Sequence, residues 1–312
     1  MKRIALVALV AASLNAGAAD VARLERVSGD RQIKLAGLVF GKSFQVRAVD
    51  AEGLPAAGVG IFIGKVTKLP PGPYLADPYG YRGFNADLEE IEYVRTPDEY
   101  ARTALDGIVT IPANAINPSP SAFPIGARVD LNAPIQVFFS AVSVRSVPVG
   151  RPSVVVEYYN AAQDHYFNTL LQAEIDALDA GVFAGWTRST GAFIAYASAA
   201  DAPAQAVPVC RFFSSRYTSH FYSADAAECD AVAQKWPDVW QLETTEAFYI
   251  LLPNKVTGAC PPNYQAVYRL YNNANSPNHR YVTDAEIRDV MVKNGWVAEG
   301  YGPNAAIMCT PG

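Results

Sequence analysis

The sequence of 312 residues contains three histidines, and each opens a similar phrase: His165-Tyr166-Phe167, His220-Phe221-Tyr222 and His279-Arg280-Tyr281. Three imidazoles brought together would hold a zinc ion and leave one position open for water, the arrangement of a hydrolytic metal site. Their spacings of 55 and 59 residues have another meaning, because duplicated structural units produce such intervals naturally. Duplication would copy a histidine that satisfies a backbone or hydroxyl partner within its hairpin as faithfully as one that binds a metal. We expect that structural role for His165, His220 and His279, with no metal and no cofactor.

A second set of candidates is aromatic. Tyr159, Phe213 and Tyr271 occupy matching places in the duplicated phrases, and Trp186, Trp240 and Trp296 recur further along. On a period-2 strand Tyr159, Phe213 and Tyr271 share a face with Glu157, Arg211 and Arg269. Aromatics beside charges make platforms for sugar rings or peptide groups, and their repetition would make binding multivalent. These six are the candidate ligand-binding residues, although large aromatics at equivalent positions also build cores. Glu174, Glu228 and Glu286 are carboxylates on which glycoside hydrolysis would draw, but helix capping and the helix dipole account for them at helix starts. The chain has no His-Glu-x-x-His, no Gly-x-Ser-x-Gly, and no serine or cysteine set convincingly beside a histidine. The glycine-rich stretch Gly58–Val66 has valine at positions 59 and 66, where a phosphate loop needs glycine and Ser or Thr.

The elements that must position these residues are legible as three repeats, at about 153–200, 207–253 and 263–312. Each opens with a strand: Val156-Glu157-Tyr158-Tyr159, Cys210-Arg211-Phe212-Phe213, or Tyr268-Arg269-Leu270-Tyr271. A loop then leads to a second strand that starts at the histidine. Thr169-Leu170-Leu171-Gln172 and Thr283-Asp284-Ala285-Glu286 fit the capping box, and Asp225-Ala226-Ala227-Glu228 is its aspartate variant, so a short helix comes next. Ile175 with Leu178, Cys229 with Val232, and Ile287 with Val290 and Met291 give each helix one apolar face. A tryptophan and an apolar strand close each β-β-α-β-β unit. The third copy, Tyr268–Asn272 with His279-Arg280-Tyr281-Val282-Thr283, resembles an uncharacterised repeat family found at the C-terminal ends of secreted bacterial proteins. Its signature is Tyr-Arg-Phe-Tyr-Asn, a short loop, His-Phe-Tyr-Thr and a small helix. The resemblance covers residues 155–310 and implies organisation without implying an activity. Units that cannot bury their own faces must stack in a line or close around an axis; we expect closure with pseudo-threefold symmetry.

Upstream, Phe44, Val46 and Ala48 alternate with Gln45 and Arg47. Val59, Ile61 and Ile63 form a second run, and Ile135, Val137, Phe139 and Ala141 a third. Asp106-Gly107 marks a turn before Ile108–Ile111. Short strands between turns predict a β-sandwich over residues 20–150. Val27–Gln32, Phe44–Asp50 and Pro55-Ala56-Ala57-Gly58-Val59 resemble bacterial Ig-like domains of the invasin and intimin type, over about residues 22–145. That resemblance implies a spacer or adhesive stalk without catalytic residues. An insertion at about 68–103, rich in tyrosine and carboxylates, departs from the pattern; it reads as a loop covering a sheet edge or as a recognition loop. The predicted fold class is thus mainly β with short helices, an Ig-like sandwich followed by the three-repeat module.

Lys2, Arg3, the apolar run Ile4–Leu14 and Ala16-Gly17-Ala18 read as a signal peptide over residues 1–19. The run is shorter than the ~20 residues that span a bilayer, so no membrane span is expected. Removing Lys2 and Arg3 takes two positive charges from a net −5, leaving −7, which gives no electrostatic reason to bind nucleic acid. Export would carry the four cysteines to a compartment where disulfides persist. Of three possible pairings we expect Cys210–Cys229 and Cys260–Cys309, each inside one repeat; the lack of a Cys-x-x-Cys spacing argues against a zinc-thiolate site. These readings converge on a secreted, periplasmic or extracellular, non-enzymatic binding or adhesion protein. Its repeat module, presented on the Ig-like domain, would take a glycan or a surface protein. The alternatives are an exported hydrolase acting on polysaccharide or peptide, and a structural accessory domain with no soluble ligand. The oligomeric state is left open.

Overall fold

The computed structural model describes residues 21–36, 38, 40–68, 89–94, 102–112, 125–128 and 136–312. The expected signal peptide and most of the 68–103 insertion lie outside the described residues. Within them the chain is mainly β, with three short helices.

The N-terminal part runs through β1 (Arg23–Ser28), β2 (Ile33–Leu35), β3 (Phe44–Val49), β4 (Phe62–Lys68), β5 (Glu89–Val94), β6 (Ile108–Ile111), β7 (Ile125–Arg128), β8 (Gln136–Phe139) and β9 (Val142–Val144). The strands form an antiparallel sheet β1-β3-β6, a second antiparallel sheet β5-β4-β7-β8 and a parallel pair β2-β9. The alternation read at Phe44, Val46 and Ala48 is present: all three are buried, in one core with Val59, Ile61, Val109, Val137 and Phe139. Gly107 has φ +72°, and a Cβ there would lie 2.6 Å from the Ala48 carbonyl oxygen, so the turn before β6 requires glycine.

Three similar units follow. Unit 1 consists of β10 (Pro152–Asn160), β11 (His165–Thr169), α1 (Gln172–Asp179) and β12 (Trp186–Tyr196). Unit 2 consists of β13 (Val207–Pro208), β14 (Cys210–Ser214), β15 (Ser219–Ser223), α2 (Ala226–Lys235), β16 (Gln241–Thr244) and β17 (Tyr249–Ile250). Unit 3 consists of β18 (Tyr264–Tyr271), β19 (His279–Val282), α3 (Ala285–Lys293), β20 (Val297–Glu299) and β21 (Ala306–Pro311). In each, β10, β14 or β18 lies between its hairpin partner and the strand after the helix, antiparallel to both. The disulfides pair as expected: Cys210–Cys229 ties β14 to α2, and Cys260–Cys309 ties the segment before β18 to β21.

Capping chemistry starts the helices, with two shifts from the sequence reading. The Asp225 carboxylate accepts from the Ala227 N–H, and that of Asp284 from Glu286 and Ile287, so Asp284 rather than Thr283 is the cap of α3. The N-cap of α1 is Leu171, without a side-chain bond. Thr169 is held in β11 by pairing with Val156, and from there its hydroxyl donates to Glu174 (2.5 Å) and accepts from the Leu171 N–H.

Strand register also corrects the alignment of the histidines. His220 pairs with Phe213 and His279 with Tyr271, whereas the partner of Tyr159 is Tyr166. His165 instead pairs with Asn160, as Ser219 pairs with Ser214. The equivalent sets are therefore Tyr166, His220 and His279, and one position earlier His165, Ser219 and Asn278. The physical reason is that the turn sets a hairpin's register. The loops 161–164 and 215–218 are equally long, so the residue after each loop faces the strand end whatever its identity.

The hairpins of all three units touch one another through β11, β15 and β19. The Asn278 amide accepts from the Tyr166 N–H (2.8 Å) and donates to the Ser219 hydroxyl (2.9 Å). Tyr222 donates to the Asn168 carbonyl (2.6 Å) and Tyr281 to the Tyr222 carbonyl (2.9 Å). The closing strands interlock as well. Tyr196 pairs with Tyr249, Leu251 bridges to Cys309, and the Thr310 hydroxyl bonds both the N–H and the carbonyl of Ile194. One apolar core, including Tyr158, Phe193, Tyr222, Phe248, Tyr281 and Ile307, runs through all three units. The N-terminal part is mounted on unit 1 by Arg188, whose buried guanidinium donates to Asp30 (2.7 Å), Asp179 (2.6 Å) and Ser140 (3.2 Å).

Candidate functional site

A cleft of about 500 Å³ opens between units 2 and 3. At its base is Arg269, placed on the central strand of unit 3 and 4% exposed. The guanidinium forks onto Glu228 in the first turn of α2, Nη1 to Oε2 at 2.9 Å and Nη2 to Oε1 at 2.7 Å, while Nε reaches Glu299 of β20 at 3.0 Å. Planar guanidinium and carboxylate match in such pairs, which fixes geometry as well as charge. Glu299 also faces His279 Nε2 at 3.3 Å. Burial pushes the Glu228 and Glu299 carboxyls up, but it is outweighed by the hydrogen bonds and charge that Arg269 gives to both and by the His279 hydrogen bond to Glu299. Both carboxyls therefore sit below the usual carboxylate range. Burial also holds the His279 imidazole below its ordinary value, and its Nδ1 is buried without a hydrogen bond.

Aromatic rings frame this charged base. His279 stacks on Tyr271 at 5.2 Å and meets the edge of Phe221 at 5.2 Å; Arg269 lies over Phe221 at 4.8 Å, and Phe221 contacts Trp240 at 6.1 Å. Trp236, 50% exposed at the end of α2, forms the outer wall together with Tyr217 and Pro277 from the two hairpin loops. At the base one guanidinium answers two carboxylates, and Lys235 adds a second positive charge to the lining, so the cleft as a whole is close to neutral. What the cleft offers is aromatic surface beside fixed donors and acceptors, which suits a neutral ligand with apolar faces and hydroxyl edges.

Of the candidate residues singled out in the sequence, Tyr271, Trp240, His279 and Glu228 line this cleft. Phe213, Trp186 and His220 lie together at the seam between units 1 and 2, where His220 packs on Phe213 (4.8 Å) and Phe167 (4.6 Å), and Phe167 on Trp186 (6.3 Å). Tyr159 and Trp296 lie at the seam between units 3 and 1, both against Tyr166, at 4.7 and 6.1 Å. All six aromatics are half-buried. His165 stands apart, fully buried, with Nδ1 3.1 Å from the Thr218 carbonyl and Nε2 3.1 Å from the Ser276 hydroxyl. A tautomer with Nδ1–H donating and Nε2 accepting satisfies both nitrogens. The three histidines thus have separate partners, and among the described residues no group of three His, Cys, Asp or Glu is set to hold a metal. Glu174 and Glu228 are latched to arginines, whereas Glu286 is exposed and Ile287 takes the matching place in α3. Trp236 and Tyr217 were not singled out from the sequence. The available signal was that Trp236 is the fourth tryptophan, outside the pattern of one per repeat.

A family model described as Domain of unknown function (DUF5648) matches residues 139–251 and 253–307, more than half of the chain. No curated protein and no solved structure matches.

Proposed function

The chain belongs to the family of the domain of unknown function DUF5648, and from that premise we propose that it is a carbohydrate-binding protein whose cleft between units 2 and 3 takes a neutral oligosaccharide. In this reading the three units close around a pseudo-threefold axis and are carried on an Ig-like sandwich, and the protein is exported to the periplasm or cell exterior. The mutual contacts of β11, β15 and β19 support closure, and the two disulfides support an oxidising compartment. Among the described residues no helix is long and apolar enough to cross a membrane.

The observation that carries the binding reading is the pairing of exposed Trp236 with a base of interlocked donors and acceptors in one cleft. A sugar ring lays its C–H face on an aromatic and directs hydroxyls at fixed polar groups, which the Arg269, Glu228 and Glu299 cluster provides. The hydrolase alternative rests on the His279–Glu299 pair, a base with an orienting carboxylate. Against it, glycoside hydrolysis needs one carboxylic acid kept protonated by a raised pKa, whereas Glu228 and Glu299 are both pushed down. No hydroxyl or thiol is hydrogen-bonded to His279 among the described residues. The test is a glycan array with the oxidised protein, followed by calorimetry on the best neutral oligosaccharide. Trp236→Ala should weaken binding about 30-fold, the ~2 kcal/mol of a hot-spot aromatic, with an unchanged circular dichroism spectrum. Release of reducing ends from the same oligosaccharide, or a flat array, would sink the reading.

A further inference from the structure

The seam between units 1 and 2 repeats the chemistry of the cleft side chain by side chain. Arg211 forks onto Glu174 of α1 at 3.0 and 2.8 Å, as Arg269 does onto Glu228, and its Nε reaches Glu243 at 2.8 Å, as that of Arg269 reaches Glu299. His220 faces Glu243 at 3.4 Å, and its Nδ1, like that of His279, is buried without a hydrogen bond. Phe167 and Trp186 take the places of Phe221 and Trp240. Where Trp236 forms the outer wall of the cleft, the segment after α1 presents Val182 and Phe183, 68% and 53% exposed.

The third seam is built differently. There the arginine position is held by Glu157, fully buried, and the partner charge comes from Arg280, which occupies the place of Phe167 and Phe221 and lies over Tyr166 at 4.3 Å. Tyr166 stands where the others have histidine, Ser189 where they have Glu243 and Glu299, and Ile287 where they have Glu174 and Glu228. The guanidinium of Arg280 thus fills space that an aromatic ring frames elsewhere.

We propose that the seam between units 1 and 2 is a second site for the same class of neutral oligosaccharide, so that each chain is divalent and its third seam is closed. This rests on the carbohydrate reading of the first cleft. As at that cleft, the one arginine at the base is fully engaged by two carboxylates, which leaves no unpaired cation to hold an anionic ligand, so the ligand is again uncharged. Two sites on one rigid body give avidity toward a repetitive polymer surface even where each binds weakly.

The experiment uses the full oxidised chain labelled with fluorotryptophan, and chitopentaose and cellopentaose as probes. Fluorine NMR resonances are assigned by Trp→Phe variants. The expected result is a ligand-dependent shift of Trp236, Trp240 and Trp186 with Trp296 silent, and a calorimetric stoichiometry of two per chain. Trp236→Ala should leave one site, still reported by Trp186. Phe183→Ala, an exposed substitution with little effect on folding, should leave the other, still reported by Trp240. A stoichiometry of one with a silent Trp186 overturns the second site and leaves the first cleft standing. Silence of all four tryptophans toward both probes overturns both. Shifts of Trp186 that persist unchanged in Phe183→Ala overturn the placement.

Discussion

Arg269 makes the largest single demand on its surroundings, since its removal would leave Glu228 and Glu299 facing each other at a part-buried site. Arg269→Leu should cost about 3 kcal/mol in a denaturant melt, the order expected when one partner of a buried ion pair is deleted. The acid limb of stability follows from the same groups. His279 has a folded pKa below its ordinary 6.5, so the unfolded chain binds the extra proton and stability falls as pH drops below about 6.5. Glu228 and Glu299 have folded values below 4.5, so their contribution is present above that pH and is lost as pH falls through their folded values. Thermal melts taken down the pH scale should fall in two stages, and His279→Phe should remove the first. A single stage confined to below pH 4.5 would refute the assignment to His279. At this scale the sequence was only partly informative. The charged positions Arg211 and Arg269 were visible as strand neighbours of the candidate aromatics, but the carboxylates they fork onto, Glu174 and Glu228, lie across unit boundaries, which no local pattern encodes. The three histidines read alike because their phrases are alike. Register, a property of turn and pairing, separates His165 from the other two.

At the scale of elements, α2 forms one wall of the cleft and is fixed to β14 by Cys210–Cys229, a link across 19 residues. In the chain-entropy picture such a loop contributes about 3 kcal/mol. The double variant Cys210→Ser, Cys229→Ser should lose about that much and show faster amide exchange in α2 than in α1. Equal exchange in both helices would mean that packing, with Val232 buried on the inner face, holds α2 unaided. In β12, Gly191 is needed for a reason unrelated to turns. A Cβ there would come within 2.3 Å of the Glu157 carboxylate, which is already bound by Ser189 (2.5 Å) and Arg280 (3.0 Å). Gly191→Ala should therefore destabilise by about 2 kcal/mol through overpacking, while the same change at exposed Gly181, with open space around its Cβ position, should cost less despite its φ of +72°. Elements were the most legible level. The hairpin strands, the aspartate cap of α2, both disulfides and the alternation in β3 all follow from local chemistry. The start of α1 did not, because Thr169 looks like a cap in isolation and is claimed by strand pairing in the fold.

For the whole molecule, the three units and the N-terminal part are joined by polar locks as much as by apolar surface. Unit 1 alone carries an arginine at position 188, where the matching residues are Leu242 and Ala298, and that arginine bonds Asp30 and Asp179. The position is thus specialised for mounting the N-terminal part. Arg188→Leu should decouple the two parts, giving two thermal transitions where the native chain gives one; a single transition at lower temperature would show that the apolar contacts of Val142, Val144, Val154 and Ile194 suffice. Repetition was readable from the sequence because the phrases recur. The difference between the third seam and the other two was not, since Glu157 and Arg280 lie 123 residues apart and each looks unremarkable in its own strand.

The exchanged charge at that third seam gives the three units an unambiguous order. In the first two junctions the later unit supplies the arginine from its central strand, whereas in the last the central strand supplies Glu157 and the arginine arrives from β19. A ring in which unit 3 came directly before unit 2 would set Arg280 against Arg211 and leave Glu157 facing Glu228, and two separate chains exchanging a unit out of turn would meet the same mismatch. The Glu157–Arg280 pair therefore works as an index mark, which tells the folding chain which unit is first and guards a repetitive sequence against assembling in the wrong sequence or with its neighbours.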